Sequence, residues 1–290
     1  MRAGPRWLPW LFAGPCLLIL AFFLVYPCLN TAYLSLFDKH SGNFVGLDNY
    51  IFALTSDIML TALRNNLLWL VLFTVVTVSL GVIFAAIFDR IRWESMAKAM
   101  VFLPQAISFV GAGVIWRFVY AYRPVGAAQI GLLNALLGII PGYKPMGWLV
   151  EKAFNNFALI AVGIWMWTGF CTITLSAAYK GIPREITEAA RVDGANEVQI
   201  FLRIILPMMM STILVVATTM IVTVLKVFDI VYVMTNGNFD TEVIANRMYK
   251  EMFHFRDFGR ASAIAVILLL LIIPVMVFNI RTFREQEAMR

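Results

Sequence analysis

What this chain has least of is charge. Lys, Arg, Asp and Glu make up only 14% of its 290 residues, where a soluble domain carries roughly a quarter. That deficit excludes an ordinary water-soluble fold. Histidine occurs only twice, at His40 and His254, both in segments read below as outer loops. No membrane-embedded Ser/His nucleophile can be assembled from them. Cys16, Cys28 and Cys171 all fall within apolar runs. They read as small buried apolar groups, not as a disulfide framework. No His/Cys/carboxylate cluster has the spacing of a metal site. The phosphate cradle G-x-x-x-x-G-K-[ST] is absent, so the chain has no P-loop for ATP. Internal repeats, low-complexity tracts and a soluble domain are also missing. The apolar runs lack the alternation of barrel strands, which leaves helix as the spanning structure.

What fills the chain is apolar: 61% of it. Six runs reach the roughly 20 residues that cross a bilayer as helix. The expected fold class is therefore an all-α integral membrane protein, one domain over residues 1–290. Its spans are expected at about 9–33, 66–89, 99–121, 157–179, 207–233 and 261–281. The first run follows Arg2 and Arg6, as in a signal peptide, but continues almost to Phe37 without an A-x-A cleavage pattern, so a retained span is expected. With both termini inside, the inner segments hold 12 Lys and Arg in 54 residues and the outer loops 9 in 94. That asymmetry favours cytoplasmic termini, and it accounts for the net charge of +6 without a nucleic-acid partner. Trp7, Trp10, Trp116, Tyr120 and Tyr122 sit near span ends, as interfacial anchors do. IGLLNALLGIIPGY, in the second outer loop, is too short to span and is expected at the surface.

One stretch breaks the apolar pattern. Between the fourth and fifth spans, residues 180–206 carry Glu188, Arg191, Asp193, Glu197 and Arg203. Pro183 suits a first helical position. Ile186, Ala189 and Ala190 then give an apolar stripe, and Arg184–Glu188 and Glu188–Arg191 give i,i+4 and i,i+3 pairs. Asp193-Gly194 reads as a turn. A second short helix comes next, and Pro207 is expected to close the bracket and open the fifth span. Two short helices with an apolar stripe and a charged rim make a knob, beside which the plain alternative is a solvated loop.

The full spacing is Glu188-Ala189-Ala190, three residues, Gly194, nine residues, Ile204, one residue, Leu206-Pro207. It resembles the signature loop of binding-protein-dependent ABC importer permeases. GLDNY at 46–50, ALRNNLLW at 62–69, FLPQAIS at 102–108, VIWRFVY at 114–120 and FDIVYVMTNG at 228–237 resemble the maltose-type carbohydrate branch, closest in appearance to α-glucoside and glycoside permeases. TNGNF departs from it in lacking the Gly-Gly-Pro common in relatives. The resemblance implies a non-catalytic permease subunit of the bacterial inner membrane, half of a pore completed by a second, similar permease. It implies cytoplasmic ATP-binding subunits that hold ATP and Mg, an extracytoplasmic solute-binding protein and a carbohydrate substrate. This chain itself would hold no cofactor or metal. Residues 180–206 would be the coupling loop, with Glu188, Ala189, Ala190, Asp193, Gly194, Leu206 and Pro207 as its contacts.

A neutral sugar calls for aromatic platforms with hydroxyl and amide partners. The fourth span offers Trp165, Trp167, Gly169 and Thr172; the fifth offers Thr219 and Thr223. W-T-G-F at 167–170 resembles the family's path-lining segment. Packing for the tryptophans and back-bonding to the helix for the threonines are the bland alternatives. Arg117, Lys226 and Asp229 lie near span ends, where snorkelling or a Lys226–Asp229 pair accounts for them. An ion-coupled secondary transporter would show inverted repeats and broken helices, and an intramembrane enzyme a nucleophile or metal cluster. The sequence offers neither.

Overall fold

The computed structural model describes residues 8–288. Arg2, Arg6 and Trp7 lie outside the described residues. Within them regular structure is helical, with no strand beyond an isolated bridge between Phe37 and Phe44. In chain order the helices begin with α1 (Leu8–Leu20), α2 (Tyr26–Leu34), α3 (Asp48–Thr55), α4 (Asp57–Phe88) and α5 (Glu94–Phe102). Next are α6 (Phe109–Val119), α7 (Leu132–Leu137), α8 (Asn155–Lys180), α9 (Arg184–Val192) and α10 (Glu197–Ile200). The last are α11 (Leu206–Leu225), α12 (Asp229–Met234), α13 (Ile244–Phe253) and α14 (Phe258–Ala288). Among the described residues five helices are long and apolar enough to cross a membrane: Trp10–Leu34, Asp57–Phe88, Asn155–Lys180, Glu197–Leu225 and Phe258–Phe278.

Prolines explain where these helices depart from the expected spans. The span expected at 99–121 is a broken pair, Glu94–Ala106 and Phe109–Val119, bent by 99°. Pro104 sits in the 3₁₀ turn Leu103–Ala106, and Ile107 and Ser108 are extended. Ser108 then caps α6, its Oγ accepting the Gly111 N–H at 3.1 Å. Pro27 and Pro207 act differently. A proline ring collides with the carbonyl four residues back, and here a π turn precedes each one: Ala21–Val25 and Phe201–Ile205. Tyr26 and Leu206 donate five residues back, to Ala21 and Phe201. The register slips by one residue and the helix carries on. Pro207 therefore does not open the fifth span: Glu197–Leu225 is one continuous helix through it. That span also ends sooner than 233, because the chain breaks after Leu225 and restarts at Asp229.

The chain divides into two compact units, Met1–Leu60 with Arg247–Leu269 and Thr61–Asn246 with Leu270–Arg290. In the first, Asn49 is buried and donates to the carbonyls of Ser35 and Phe37 at 2.9 and 2.7 Å. Tyr50 Oη meets Ser35 Oγ at 2.6 Å. These bonds are what GLDNY does structurally. Arg260 lies 4.0 Å over the Phe52 ring. Cys16 and Cys28 are exposed here, contrary to the buried role expected of them.

In the second unit, Trp69 and Phe73 of α4, Leu159 and Met166 of α8, Met209 and Met220 of α11 and Val231 of α12 form one buried cluster. In lipid, where exposed apolar surface costs nothing, close packing of this kind is what joins helices. Gly169 marks the tightest crossing: a Cβ there would lie 2.4 Å from the Val101 carbonyl oxygen. Two of the expected interfacial anchors belong to this packing. Tyr120 is buried and bonds the Ala158 carbonyl at 3.2 Å, and Trp116 packs edge-on to Trp165 at 5.5 Å. Trp10 and Tyr122 remain exposed.

Candidate functional site

The Lys180 end of α8 carries the charged bracket, and its corner is built from two local motifs in succession. At the end of α9, Ala195 N–H bonds the Ala190 carbonyl at 3.0 Å and Gly194 N–H bonds that of Arg191 at 3.1 Å. This pair is a Schellman cap, which needs a left-handed residue at the position Gly194 occupies. Its φ is +83°. Directly afterwards Asn196 starts α10 with a capping box: its side chain accepts the Gln199 N–H, and Gln199 Oε1 accepts the Asn196 N–H, both at 2.9 Å. Stop and start thus lie within three residues, and α9 is set off from the next helix.

Ion pairs hold the bracket to its neighbours. Arg191 Nε reaches Glu197 Oε1 at 2.7 Å, six positions on, rather than pairing with Glu188 as expected. Glu197 raises the Arg191 guanidinium above its ordinary pKa through this bond. Arg90, from the loop after α4, holds the other oxygen of Glu197 at 2.7 Å. Glu94 accepts from Lys180 at 2.7 Å and also from Lys98. A cleft of about 530 Å³ lies between these groups, with Glu188 on its wall. Among the described residues Glu188 makes no ion pair. The expected Ile186/Ala189/Ala190 stripe is split, since neighbours on a helix are 100° apart. Ala190 turns into the chain, whereas Ala189 and Ile186 face out with Val192, which is 88% exposed. Asp193 is the C-terminal cap of α9, and Leu206 and Pro207 lie inside the continuous helix.

The expected path residues separate. Trp167 and Thr223 line one cavity of about 100 Å³, together with Trp69, Phe109, Lys226 and Asp229. Trp167 stacks on Phe109 at 6.1 Å and meets Phe170 edge-on. Lys226 and Asp229 flank the break after α11, so they do not form a pair along one helix. Trp165 lies instead against Trp116. Gly169 and Thr172 are buried within the chain, Thr172 donating to the Thr168 carbonyl at 2.8 Å. Thr219 and Thr223 back-bond to Val215 and Thr219 at 2.9 and 2.8 Å.

The opposite end of α8 holds side chains that sequence reasoning did not single out. Asn65 donates to the carbonyls of Asp240 and Glu242 at 2.7 and 2.8 Å. Asn66 accepts the Ile244 N–H at 2.9 Å, and Asn155 donates to the Phe239 carbonyl at 2.7 Å. Asn134, fully buried, donates to Ala121 and Met146 carbonyls and accepts from Tyr143, Trp148 and the Met146 N–H. The available signal was an amide doublet at an end of each of two apolar runs, Asn65-Asn66 and Asn155-Asn156.

Known proteins are similar to this chain in sequence and in fold. The chain is 62% identical to the osmoprotective compounds uptake permease protein GgtC of Synechocystis, over 97% of this chain and all of that one. It is 48% identical to the alpha-glucoside transport system permease protein AglF of Rhizobium meliloti, over 96% and 83%. In fold it is similar to a chain of a bacterial ABC transporter involved in the import of the acidic polysaccharide alginate, with a TM-score of 0.82 and 21% identity over 96% of each. Residues 78–281 match the family described as binding-protein-dependent transport system inner membrane component, and to that family this chain belongs.

Proposed function

We propose that this permease forms half of the pore of an ATP-driven importer, carrying a sugar or small glycoside that an extracytoplasmic binding protein delivers. The α-glucoside relative supports that substrate class. A second permease completes the pore. Hydrolysis, with its ATP and Mg, belongs to separate cytoplasmic subunits; the bracket end and both termini lie on that side. Glu188 and Ala189 are the outward contacts of the coupling element, Ala190, Asp193 and Gly194 set its angle, and Leu206-Pro207 joins it to the span.

The observation that carries this reading is the bracket's geometry. An exposed carboxylate that makes no ion pair among the described residues stands beside a bare Val192, on a helix capped rigidly against the start of a span. Because Glu197–Leu225 is one helix, a tilt imposed on the bracket passes directly into the membrane. Rigid-body rocking is the matching mode of alternating access. At the pore, Trp167 and Thr223 face substrate, while Trp165, Gly169, Thr172 and Thr219 shape the helices behind them. The cavity of about 100 Å³ has room for a few waters only, so a sugar passes when these helices part. Exchanging Glu188→Lys in the assembled importer is expected to reduce uptake at least tenfold, on the order of 1.4 kcal/mol or more in coupling, with unchanged membrane insertion. Wild-type uptake by that variant would overturn the coupling role.

A further inference from the structure

A larger hollow is lined by the later residues of α12, Tyr232 to Met234, where the deep cavity is lined by its first ones. We propose that the groove between α6, α12 and the segment 121–150 is a receiving site for one neutral glycosyl unit. The proposal rests on the sugar-importer reading above and adds a station before the narrow cavity. The groove measures about 560 Å³, inside the ~300–1,000 Å³ typical of small-molecule sites. It is lined by Arg117, Tyr122, Tyr232, Asn238 and Phe239, with no carboxylate. Tyr122 and Phe239 are 42% and 48% exposed. Flat apolar rings suit the C–H faces of a pyranose, and planar guanidinium and amide groups suit its hydroxyls. Arg117 is held in place by one bond, from Nη1 to the Val233 carbonyl at 3.3 Å. Its remaining donors are those of a planar fork that carries five N–H in all.

Both walls are fixed from behind by buried amides. Asn134 holds the Ala121 carbonyl at 3.1 Å, next to Tyr122, and the Met146 carbonyl at 3.0 Å, next to the lining Gly147. Across the groove, Asn155 holds the carbonyl of Phe239 itself at 2.7 Å. Asn236, Phe239 and Asp240 have φ of 52°, 58° and 63°, an uncommon conformation for residues with a side chain. Strain of that kind persists where surrounding bonds over-determine it and gathers at ligand sites. A route inward is present too. Tyr232, in the groove, stacks on Phe228, in the deep cavity, at 5.1 Å and 22°. Along α12 a ring can therefore move from one aromatic face to the next.

The test uses the complete importer in vesicles with its binding protein, and as probe the glycoside that the wild type carries fastest from a panel of radiolabelled methyl glycosides and disaccharides. Tyr122→Ala, Asn238→Ala and Arg117→Gln are expected to lower sugar moved per ATP hydrolysed by about tenfold. Binding-protein-stimulated hydrolysis should remain near wild type. Tyr122→Phe, which keeps the ring, should restore uptake. Unchanged uptake in all three variants overturns the site, and so does a parallel fall in stimulated hydrolysis, which would make the groove a docking surface for the binding protein. A wild type that carries no glycoside would instead sink the underlying sugar reading, and this site with it.

Discussion

The two ends of α8 solve the same problem, fixing an irregular segment against a membrane helix, by opposite means. At the Lys180 end the shaping bonds are local and wet: a Schellman cap, a capping box and the half-exposed Arg191–Glu197 pair, to which Arg90 and Glu94 add partly exposed ion pairs from further along the chain. At the Asn155 end they are distant and dry. Asn65 reaches residues 175 and 177 positions away, and Asn155 one 84 positions away. The first kind tolerates a bracket that must be gripped and tilted. The second holds a rim in one shape. Energetics should show the same division, since an orphaned buried polar group costs far more than a lost surface contact.

A large effect from a single methyl group is expected between the two ends. Gly169→Ala places a Cβ 2.4 Å from a backbone oxygen of the facing helix, which cannot step aside as a side chain would. A loss of about 3 kcal/mol or more is expected, read as a much lower yield of folded protein and a reduced melting temperature in detergent. Melting like wild type would mean that the α5–α8 crossing is looser than described.

Next comes the dry end. Asn65→Ala removes both donors to Asp240 and Glu242 and the acceptor that Asn156 Nδ2 uses at 3.3 Å. The Glu242 carbonyl loses a buried bond, whereas the Asp240 carbonyl keeps Asn156 Nδ2 at 3.4 Å, so the cost is about 1–3 kcal/mol. Protease should then cut within 235–246 well before global unfolding. If cleavage there is no faster than in wild type, the doublet is not what fixes the rim.

The same distances explain why one end could be read and the other could not. A signature at fixed spacing, Gly194 at a left-handed turn and acidic and basic residues in a polar gap are all visible within a window of twenty residues. The bracket and the family resemblance came from them. Even there both expected pairs of Glu188 failed: among the described residues neither Arg184 nor Arg191 forms an ion pair with it, and Arg191 reaches Glu197 instead, because the corner brings the start of α10 within reach. The apolar runs gave the all-helical membrane fold. They did not give the 99° break near Ile107 or the passage through Pro207, since the outcome depends on the residues flanking each proline. Extended residues and a serine cap come after Pro104, whereas a π turn comes before Pro207. Asn134 and the asparagine doublets were invisible as structure, because a lone amide beside an apolar run names no partner. Only the fold brings Asp240 and Phe239 to them.

The wet end should yield smaller numbers, and two substitutions there separate conformation from charge. Gly194→Ala meets nothing within 4 Å, so its cost is only that of a left-handed residue with a side chain, about 1–2 kcal/mol. Calorimetry of the purified chain should show a modest shift, well below that of Gly169→Ala. A shift as large would mean that the corner is packed against something further.

Arg191→Gln should do least of all. Both partners of the pair are about half exposed, at 49% and 46%, and such ion pairs are screened by salt and largely repaid by water. Glu197 keeps Arg90 at 2.7 Å, and the Schellman bonds come from backbone groups the substitution leaves alone. Melting should therefore be indistinguishable from wild type at moderate salt, with any difference appearing only at low ionic strength. A clear loss of stability that persists at high salt would break the contrast between the two ends, because it would mean that the Arg191 side chain holds the bracket through contacts that salt does not screen.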